Sequence, residues 1–188
     1  MKKIISVLFA LCLCMAASAQ QHMKFMGISL DGTVDNFALK LKAKGVTYDA
    51  AQSKKLSPGS KFYRGTFMGE RACFVVMFNA KSRLVYGVGV EMSYSSLALA
   101  KTPFMDIADK LHNKYPTAVY DRMDKDDSND VLGVSFTIPE ENSTELLGII
   151  MQELKRPDGI LSIDWSINLI YTDVKNYKKH ESLNNEDL

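Results

Sequence analysis

Serine and histidine residues are the first candidates for catalysis in this 188-residue chain. Serine hydrolysis needs a nucleophile beside a base, and a Gly-x-Ser-x-Gly turn is its usual signature. The segments around Ser29 and Ser135 both miss that pattern. His22 and His180 lie in predicted tails, and His112 lies near the end of a predicted helix, where its charge suits the helix dipole. We therefore expect no catalytic residue, and a hydrolase with an unrecognised site is the least favoured interpretation.

A cluster of aspartates is the most suggestive group for metal binding. An EF-hand loop needs glycine at its sixth position and glutamate at its twelfth. Counted from Asp124 those positions hold Asn129 and Ser135, and a start at Asp126 fits no better. His-Glu-x-x-His and Cys-x-x-Cys spacings do not occur either. We expect no metal site and no cofactor, and interpret the cluster as a solvated loop, with weak calcium binding as the alternative. The cluster comprises Asp121, Asp124, Asp126, Asp127 and Asp130.

Residues 1–19 have the three parts of a secretory signal. Lys2 and Lys3 precede an apolar run over 4–15, and small residues end the segment at Ala19. The run is much shorter than the roughly 20 residues that span a bilayer. We predict cleavage near Ala19, a periplasmic or secreted location, and no stable membrane insertion.

The cysteines and the charge balance narrow the remaining classes. Cys12 and Cys14 each follow leucine, where a lipoprotein signal requires a small residue, so we do not expect lipidation. Cleavage leaves Cys73 as the single cysteine, so the core must stabilise the domain without an internal disulfide. Loss of Lys2 and Lys3 leaves 21 basic and 22 acidic residues. A net charge near −1 gives no electrostatic footprint for nucleic acid, and we expect no such partner.

Hydrophobic periodicity predicts the elements of the first half. Apolar residues at helical spacing between Thr33, a suitable N-cap, and Gly45, a suitable C′ residue, predict a helix over about 33–44. A two-residue loop at Gly69-Glu70 would place Met68 opposite Arg71 in a hairpin. The predicted strands cover 61–68, 71–79 and 83–92.

The pattern then restarts. A second helix runs toward Tyr115 and begins either after Ser95-Ser96 or at Thr102-Pro103. A short inserted helix is predicted over 143–154, and 177–188 is predicted to be a frayed polar tail. The remaining predicted strands cover 118–123, 131–138, 159–167 and 169–174.

These elements predict an α+β fold with helices packed on one face of a sheet. We expect a single domain over 20–176, built from two tandem units of helix plus antiparallel meander. The first unit covers about 27–92 and the second about 95–176.

Two successive units of this kind resemble the architecture of β-lactamase inhibitor proteins and of small outer-membrane assembly lipoproteins. The likeness begins at Gly27-Ile28-Ser29-Leu30-Asp31-Gly32-Thr33, which leads into the first helix and the hairpin. This opening segment is also similar to that of a group of small exported bacterial proteins of unassigned function. The second unit lacks the segment and carries the inserted helix. The resemblance implies a fold, an envelope location and a binding function.

Alternation along the strands separates two faces of the predicted sheet. The core face should hold Tyr63, Gly65, Phe67, Ala72, Phe74, Val76, Phe78, Leu84, Tyr86, Val88, Val90 and Met92. The outer face should hold Phe62, Arg64, Thr66, Met68, Arg71, Cys73, Val75, Met77, Val85, Gly87, Gly89 and Glu91. In the second unit the inward set is Leu132, Val134, Phe136, Ile138, Leu161, Ile163 and Trp165. The outward set is Gly133, Ser135, Thr137, Ser162 and Asp164.

The outer face is the candidate binding surface, and an ordinary solvated sheet face is the alternative. We expect an exported non-enzymatic binding module that engages a protein or peptide of the cell envelope. A structural or assembly accessory of the envelope is the second hypothesis. The candidate binding residues are Arg64, Met68, Arg71, Met77, Gly87, Gly89 and Glu91.

Overall fold

The computed structural model describes residues 22–114, 119–123, 132–140, 143–154 and 164–185, and from 119 to 164 it gives the backbone and strand pairing alone. In this part of the chain the fold is α+β, with antiparallel sheets and four helices. None of the helices in the described residues is long and apolar enough to span a membrane.

One large sheet dominates the fold. The strands are β1 (Lys24–Phe25), β2 (Ile28–Ser29), β3 (Thr47–Tyr48), β4 (Ser60–Phe67), β5 (Glu70–Phe78), β6 (Val85–Tyr94), β7 (Val119–Met123), β8 (Leu132–Glu140), β9 (Ser143–Leu154) and β10 (Asp164–Thr172). The helices are α1 (Val34–Ala43), α2 (Ala50–Ser53), α3 (Leu97–Lys114) and α4 (Val174–Asn185). The large sheet has the antiparallel order β3-β4-β5-β6-β10-β9-β8-β7, and β1 pairs with β2 separately. The β4–β6 meander therefore meets the β7–β10 meander where β6 pairs with β10.

Helix α1 confirms the helix predicted over 33–44. Thr33 is extended and occupies the N-cap position without a side-chain capping bond. The Val34 N–H instead donates to the carbonyl of Arg83 at 2.9 Å. Arg83 lies just before β6, so this bond attaches the start of the helix to the sheet. Gly45 ends the helix with φ +80°, a left-handed conformation that glycine adopts without strain.

Helix α3 takes the earlier of its two predicted starts. The Ser96 hydroxyl accepts the Leu99 N–H at 3.3 Å and caps the helix. Pro103 lies inside the helix, so the alternative start at Thr102-Pro103 is wrong. Proline has no N–H to donate to the carbonyl of Leu99, four residues earlier, and Leu99 is an exposed residue.

A single apolar core lies between the sheet and the helices. Phe25 of β1 is fully buried at its centre. Its ring stacks on Phe67 at 5.7 Å and meets Phe74 and Tyr171 edge-on at 5.8 and 5.1 Å. The helices contribute Val34, Phe37, Leu41, Ala100, Phe104, Ile107, Ala108 and Leu111.

The loop of the first hairpin lies one residue earlier than predicted. Met68 and Gly69 form the turn, with φ of +54° and +94°, and Phe67 pairs with Glu70. Two consecutive residues with positive φ are the signature of a type I′ turn. The register differs from the predicted one by two positions, an even number, so the side chains within β4 and β5 keep their predicted faces, whereas Met68 leaves the strand for the turn. The buried residues here are Tyr63, Phe67, Ala72, Phe74, Val76 and Phe78, as predicted.

A β-bulge near the start of β6 changes the predicted facing of the first residues of the third strand. The register shifts between Met77, which pairs with Gly87, and Phe78, which pairs with Val85. One extra residue therefore interrupts the alternation. Val85, predicted for the outer face, is fully buried, and Tyr86, predicted for the core face, is half-exposed. Beyond the bulge, Val88, Val90 and Met92 are buried as predicted.

The second half contains one wrong element. The helix predicted over 143–154 is strand β9, which pairs with β8 on one side and β10 on the other. Residues 146–151 are apolar apart from Gly148, a pattern that suits a central strand as well as a helix. The strands predicted over 159–167 and 169–174 meet as one strand, β10.

Side-chain predictions in this half are tested only along β10. Trp165 is buried as predicted, and Ile167, Leu169 and Tyr171 follow it into the core. The other inward and outward residues predicted for the second unit lie outside the described side chains. Tyr115 and the aspartates from 124 to 130 lie outside the described residues, and Asp121 lies in β7.

The segment predicted to be a frayed tail is helix α4. Its N-cap is Asp173, a buried residue whose Oδ1 accepts the Asn176 N–H at 2.9 Å. Asp173 Oδ2 hydrogen-bonds His22 Nδ1 at 2.8 Å and accepts the Met23 N–H at 3.0 Å. We call these four residues the terminal junction.

The terminal junction also reaches the strands. Asn176 Nδ2 donates to the carbonyls of Leu30 and Val85 at 2.6 and 2.9 Å. Further along α4, the His180 ring stacks on Tyr86 at 4.3 Å. His22 and His180 are therefore packed residues, contrary to their predicted place in tails.

Candidate functional site

An open groove of about 360 Å³ crosses the sheet on the face opposite the core. We call it the outer groove. Its lining spans β4, β5, β6 and β10, and the outward side chains include Phe62, Cys73, Val75, Glu91, Asn168 and Ile170.

The register arranges these residues in two rows. Phe62 pairs with Val75, Val75 with Gly89, and Gly89 with Ile170, which makes an apolar row across four strands. Gly89 is the low point of the row, because a Cβ built there has no atom nearer than Val75 at 3.9 Å. Val75 and the exposed Ile170 therefore form walls on either side of a glycine floor.

The second row is polar. Arg64 pairs with Cys73, Cys73 with Glu91, and Glu91 with Asn168. Asn168 Nδ2 donates to the Ser166 hydroxyl at 2.7 Å. The two rows are two residues apart along each strand, or about 6–7 Å.

Arg64 is held in place at one end of the polar row. Its Nε donates to Asp49 Oδ2 at 2.8 Å, and its guanidinium lies over the Phe62 ring at 5.3 Å. Asp49 caps α2 by accepting the Gln52 N–H. That hydrogen bond, and then Arg64, hold the pKa of Asp49 below its usual value. Asp49 and Arg64 therefore stay charged and paired at neutral pH.

Glu91 carries the charge at the centre of the groove. It is exposed, and the Ser93 hydroxyl donates to its carboxylate at 3.4 Å. Among the residues that the structure describes, no cation is ion-paired with it. Glu91 is thus available to a positively charged group of a ligand.

Cys73 is the most reactive nucleophile among the described residues that line the groove. Partial burial raises the pKa of its thiol, and Arg64, whose Nη1 donates to the sulfur at 3.8 Å, lowers it by less. The thiol is therefore mainly protonated at neutral pH, and a protonated thiol is a poor nucleophile. The geometry of the groove suits binding better than covalent chemistry.

Three of the predicted binding residues, Arg64, Gly89 and Glu91, lie in the two rows. Met77 and Gly87 pair in the next row, but Gly87 is buried. A Cβ at Gly87 would lie 2.8 Å from Met77 Cε and 3.2 Å from the Tyr171 carbonyl oxygen. Gly87 therefore lies on the predicted outer face, where the Met77 side chain covers it.

Arg71 and Met68 do not line the outer groove. Arg71 is an exposed residue near the start of β5. Met68 lies in the hairpin turn and lines a different cavity, beside Pro103 and Asp106 of α3. Its positive φ takes it out of the strand alternation on which its prediction rested.

Sequence reasoning missed the contribution of β10. Asn168 and Ile170 alternate with the buried Ile167 and Leu169, so strict alternation continued from Trp165 predicts that both side chains face outward, although it does not predict that β10 lies beside β6. The prediction of two separate strands over 159–167 and 169–174 interrupts this alternation at residue 168.

In the described part of the chain, no group of three or more His, Cys, Asp or Glu side chains could hold a metal ion. Comparison with protein-family models, curated proteins and solved structures finds no match to the chain. Function is therefore inferred from the groove itself.

Proposed function

We propose that this protein is an exported, non-enzymatic binding module that holds a protein or peptide of the cell envelope in the outer groove. The observation that carries the proposal is the apolar row over Gly89 beside the polar row that contains Glu91. An open, ligand-sized concavity with an apolar floor and a few placed polar groups is the usual form of a binding site.

The spacing of the rows favours an extended ligand. Side chains on one side of an extended chain repeat every two residues, about 6–7 Å, which equals the distance between the rows. A segment lying along the strands would place an apolar side chain over Gly89 and the next side chain on the same side at Glu91. A lysine or arginine two positions from the apolar residue would then form an ion pair with Glu91.

Location and architecture enter as parts of the same proposal. The signal features of residues 1–19 support export with cleavage near Ala19. The sequence of α1 with β4–β6, followed by α3 with β7–β10, favours two tandem units like those of β-lactamase inhibitor proteins. The intact mass of the exported product tests the export: we expect a chain that begins at Gln20, and a retained signal or a lipid mass would contradict it.

The test of the site is a groove-filling variant. Gly89→Leu should fill the floor between Val75 and Ile170, because a Cβ at Gly89 enters open space and leads the side chain into the groove. The matched control is Gly32→Leu, because a Cβ at Gly32 also meets nothing nearer than 4.0 Å and lies away from the groove. Immobilised wild-type protein and both variants are incubated with envelope extract, and bound proteins are quantified by mass spectrometry.

We expect the amount of specifically captured protein to fall at least tenfold with Gly89→Leu and to stay at the wild-type level with Gly32→Leu. Melting temperatures within a few degrees of wild type would establish that both variants fold. Equal capture by the two variants would rule out the outer groove as the binding site. Capture of an envelope assembly component would favour the accessory role over recognition of a separate ligand.

A further inference from the structure

A second cavity of about 540 Å³ opens at the edge of the sheet, between α1 and β3. We call it the edge groove. Its lining is mainly apolar and includes Ala38, Leu39, Val46, Tyr48 and Tyr63, with Lys42 at the rim. It shares no lining residue with the outer groove.

Two exposed apolar side chains mark this groove. Leu39 is 68% exposed, the highest value among the large apolar residues that the structure describes, and Tyr48 is 53% exposed. The Tyr48 ring packs edge-on against the buried Tyr63 at 5.5 Å, so the groove continues the core outward. Such clustered apolar exposure indicates a surface that a ligand covers.

The backbone of β3 is open along this edge. β3 is the terminal strand in the order of the described sheet. Thr47 pairs with Arg64 and Tyr48 with Tyr63, and the Asp49 N–H donates to the Phe62 carbonyl at 2.9 Å. Hydrogen-bonded and non-hydrogen-bonded pairs alternate in an antiparallel ladder. The N–H and C=O of Tyr48 therefore point away from β4, toward the open edge.

The two carboxylates beside the edge are already neutralised. Asp35 accepts from Arg83 Nη2 at 2.8 Å and lies 3.6 Å from Lys61 Nζ, and Asp49 pairs with Arg64. The hydrogen bond from Arg83 is the main reason that the pKa of Asp35 is lowered.

Lysines around the edge remain uncompensated. In the described part of the chain none of them has an ion-pair partner. The edge of the sheet is therefore cationic, in contrast to the outer groove with its central Glu91. Lys42 lines the edge groove, and the others, Lys40, Lys44, Lys54 and Lys55, lie on α1 or directly after α1 and α2, the helices that flank β3 in the chain.

We propose that the edge groove binds an extended acidic peptide segment, which adds to β3 as a further strand. Addition of a strand to an open sheet edge supplies main-chain hydrogen bonds, and pockets for alternate side chains supply specificity. Here the Tyr48 N–H and C=O bond the peptide backbone. An apolar peptide side chain enters between Leu39 and Tyr48, and acidic side chains meet the lysines.

The probe is a capped nine-residue peptide of alternating glutamate and valine with phenylalanine at its centre, and its counterpart carries lysine for every glutamate. Binding to purified protein is measured by calorimetry, and the Tyr48 amide is followed by NMR hydrogen exchange. We expect the acidic peptide to bind, the basic peptide to bind at least tenfold more weakly, and exchange of the Tyr48 amide to slow on binding.

Two matched pairs of variants locate the site. Leu39→Glu should weaken binding at least tenfold, whereas Leu99→Glu, which changes a leucine that is 59% exposed on α3, should change it less than twofold. Lys42→Glu, on α1, should weaken binding severalfold, and Lys101→Glu, on α3, should not weaken it.

Absence of binding, equal binding of the two peptides, or equal effects of Leu39→Glu and Leu99→Glu would overturn the proposal. A dimer that Leu39→Glu dissociates would overturn it in favour of a second copy of this chain as the occupant. Gly89→Leu should bind the acidic peptide normally, so a failure of the outer groove is distinguishable from a failure of the edge groove.

Discussion

The two faces of the β4–β6 meander differ in what covers them. Phe74 is fully buried, and Cys73 and Val75, its neighbours in β5, are half-buried on the other face. Helices α1 and α3 and the β1–β2 pair cover the core face, whereas the outer face remains open as a groove. The free energy of folding is thus drawn mainly from one face, which leaves the other free for recognition. Substitutions at adjacent positions should therefore have very different consequences.

The largest expected effect is on the core face. Phe74→Ala should lower the free energy of unfolding by about 3–5 kcal/mol, because it removes a fully buried ring from a packed core. This is a large share of the roughly 5–15 kcal/mol that stabilises a typical domain. Denaturation in urea measures it. Val75→Ala is the control and should cost about 1 kcal/mol or less; equal losses at both positions would break the distinction between the faces.

A glycine pair sharpens the comparison within the outer face. Gly87→Ala should cost about 1 kcal/mol, at the low end for overpacking, because Met77 Cε can move aside but the Tyr171 carbonyl is less free to do so. Gly89→Ala should cost no more than about 0.5 kcal/mol, since its Cβ enters open space. Thermal unfolding of both variants measures the difference. The reverse order of stability would show that the register between β5 and β6 is different.

The double replacement Arg64→Ala with Arg71→Ala should hardly change folding. Both side chains are exposed, and exposed ion pairs such as Arg64 with Asp49 contribute little to stability because solvent screens them. The same variant should weaken capture of an outer-groove ligand, because Arg64 ends the polar row. Stability by urea denaturation and capture from envelope extract are measured in parallel. A large stability loss with unchanged capture would assign Arg64 to the fold alone.

The smallest expected effect concerns the Cys73 thiol. Burial raises its pKa, so native protein should react with a thiol reagent, but several times more slowly at neutral pH than urea-unfolded protein. The rate should rise with pH to a midpoint above the usual thiol value. Because the pKa is raised on folding, the associated stability is present below the unfolded pKa and declines as pH rises above it. Complete protection of native Cys73 would show that the groove is covered.

Most of what the sequence predicts correctly about the sheet follows from the alternation of apolar and polar side chains along its strands. The facing of β4 and β5 followed from it although the hairpin loop was misplaced, because the error in register was even. Val85 was misplaced because a bulge adds one residue, and no local signal in the sequence marks it. Arg64, Gly89 and Glu91 were identified because they lie on strands adjacent along the chain.

Features that depend on distant contacts were not predictable in this way. Asn168 and Ile170 join the groove only through the pairing of β6 with β10, which are far apart in the sequence. Helix α4 is polar, and its position depends on the Asp173 cap and on contacts with Tyr86, neither of which periodicity shows. The segment over 143–154 is predicted as a helix because Leu146, Leu147, Ile150 and Leu154 recur at helical spacing, but such a short apolar segment also fits a central strand, and only its pairing with β8 and β10 decides between them.

The terminal junction also orders events during synthesis. The Met23 N–H donates to Asp173, which lies 150 positions later in the chain. The Leu30 carbonyl accepts from Asn176, which lies 146 positions later. A growing chain that has reached only β9 therefore lacks the Asn176 side chain that donates to the carbonyls of Leu30 and Val85 in the native structure. Contacts of such long sequence separation are closed late, because their loop entropy is lost before they contribute. Completion of the native structure is thus tied to the docking of α4, and a chain truncated before α4 should remain open to proteolysis at β1.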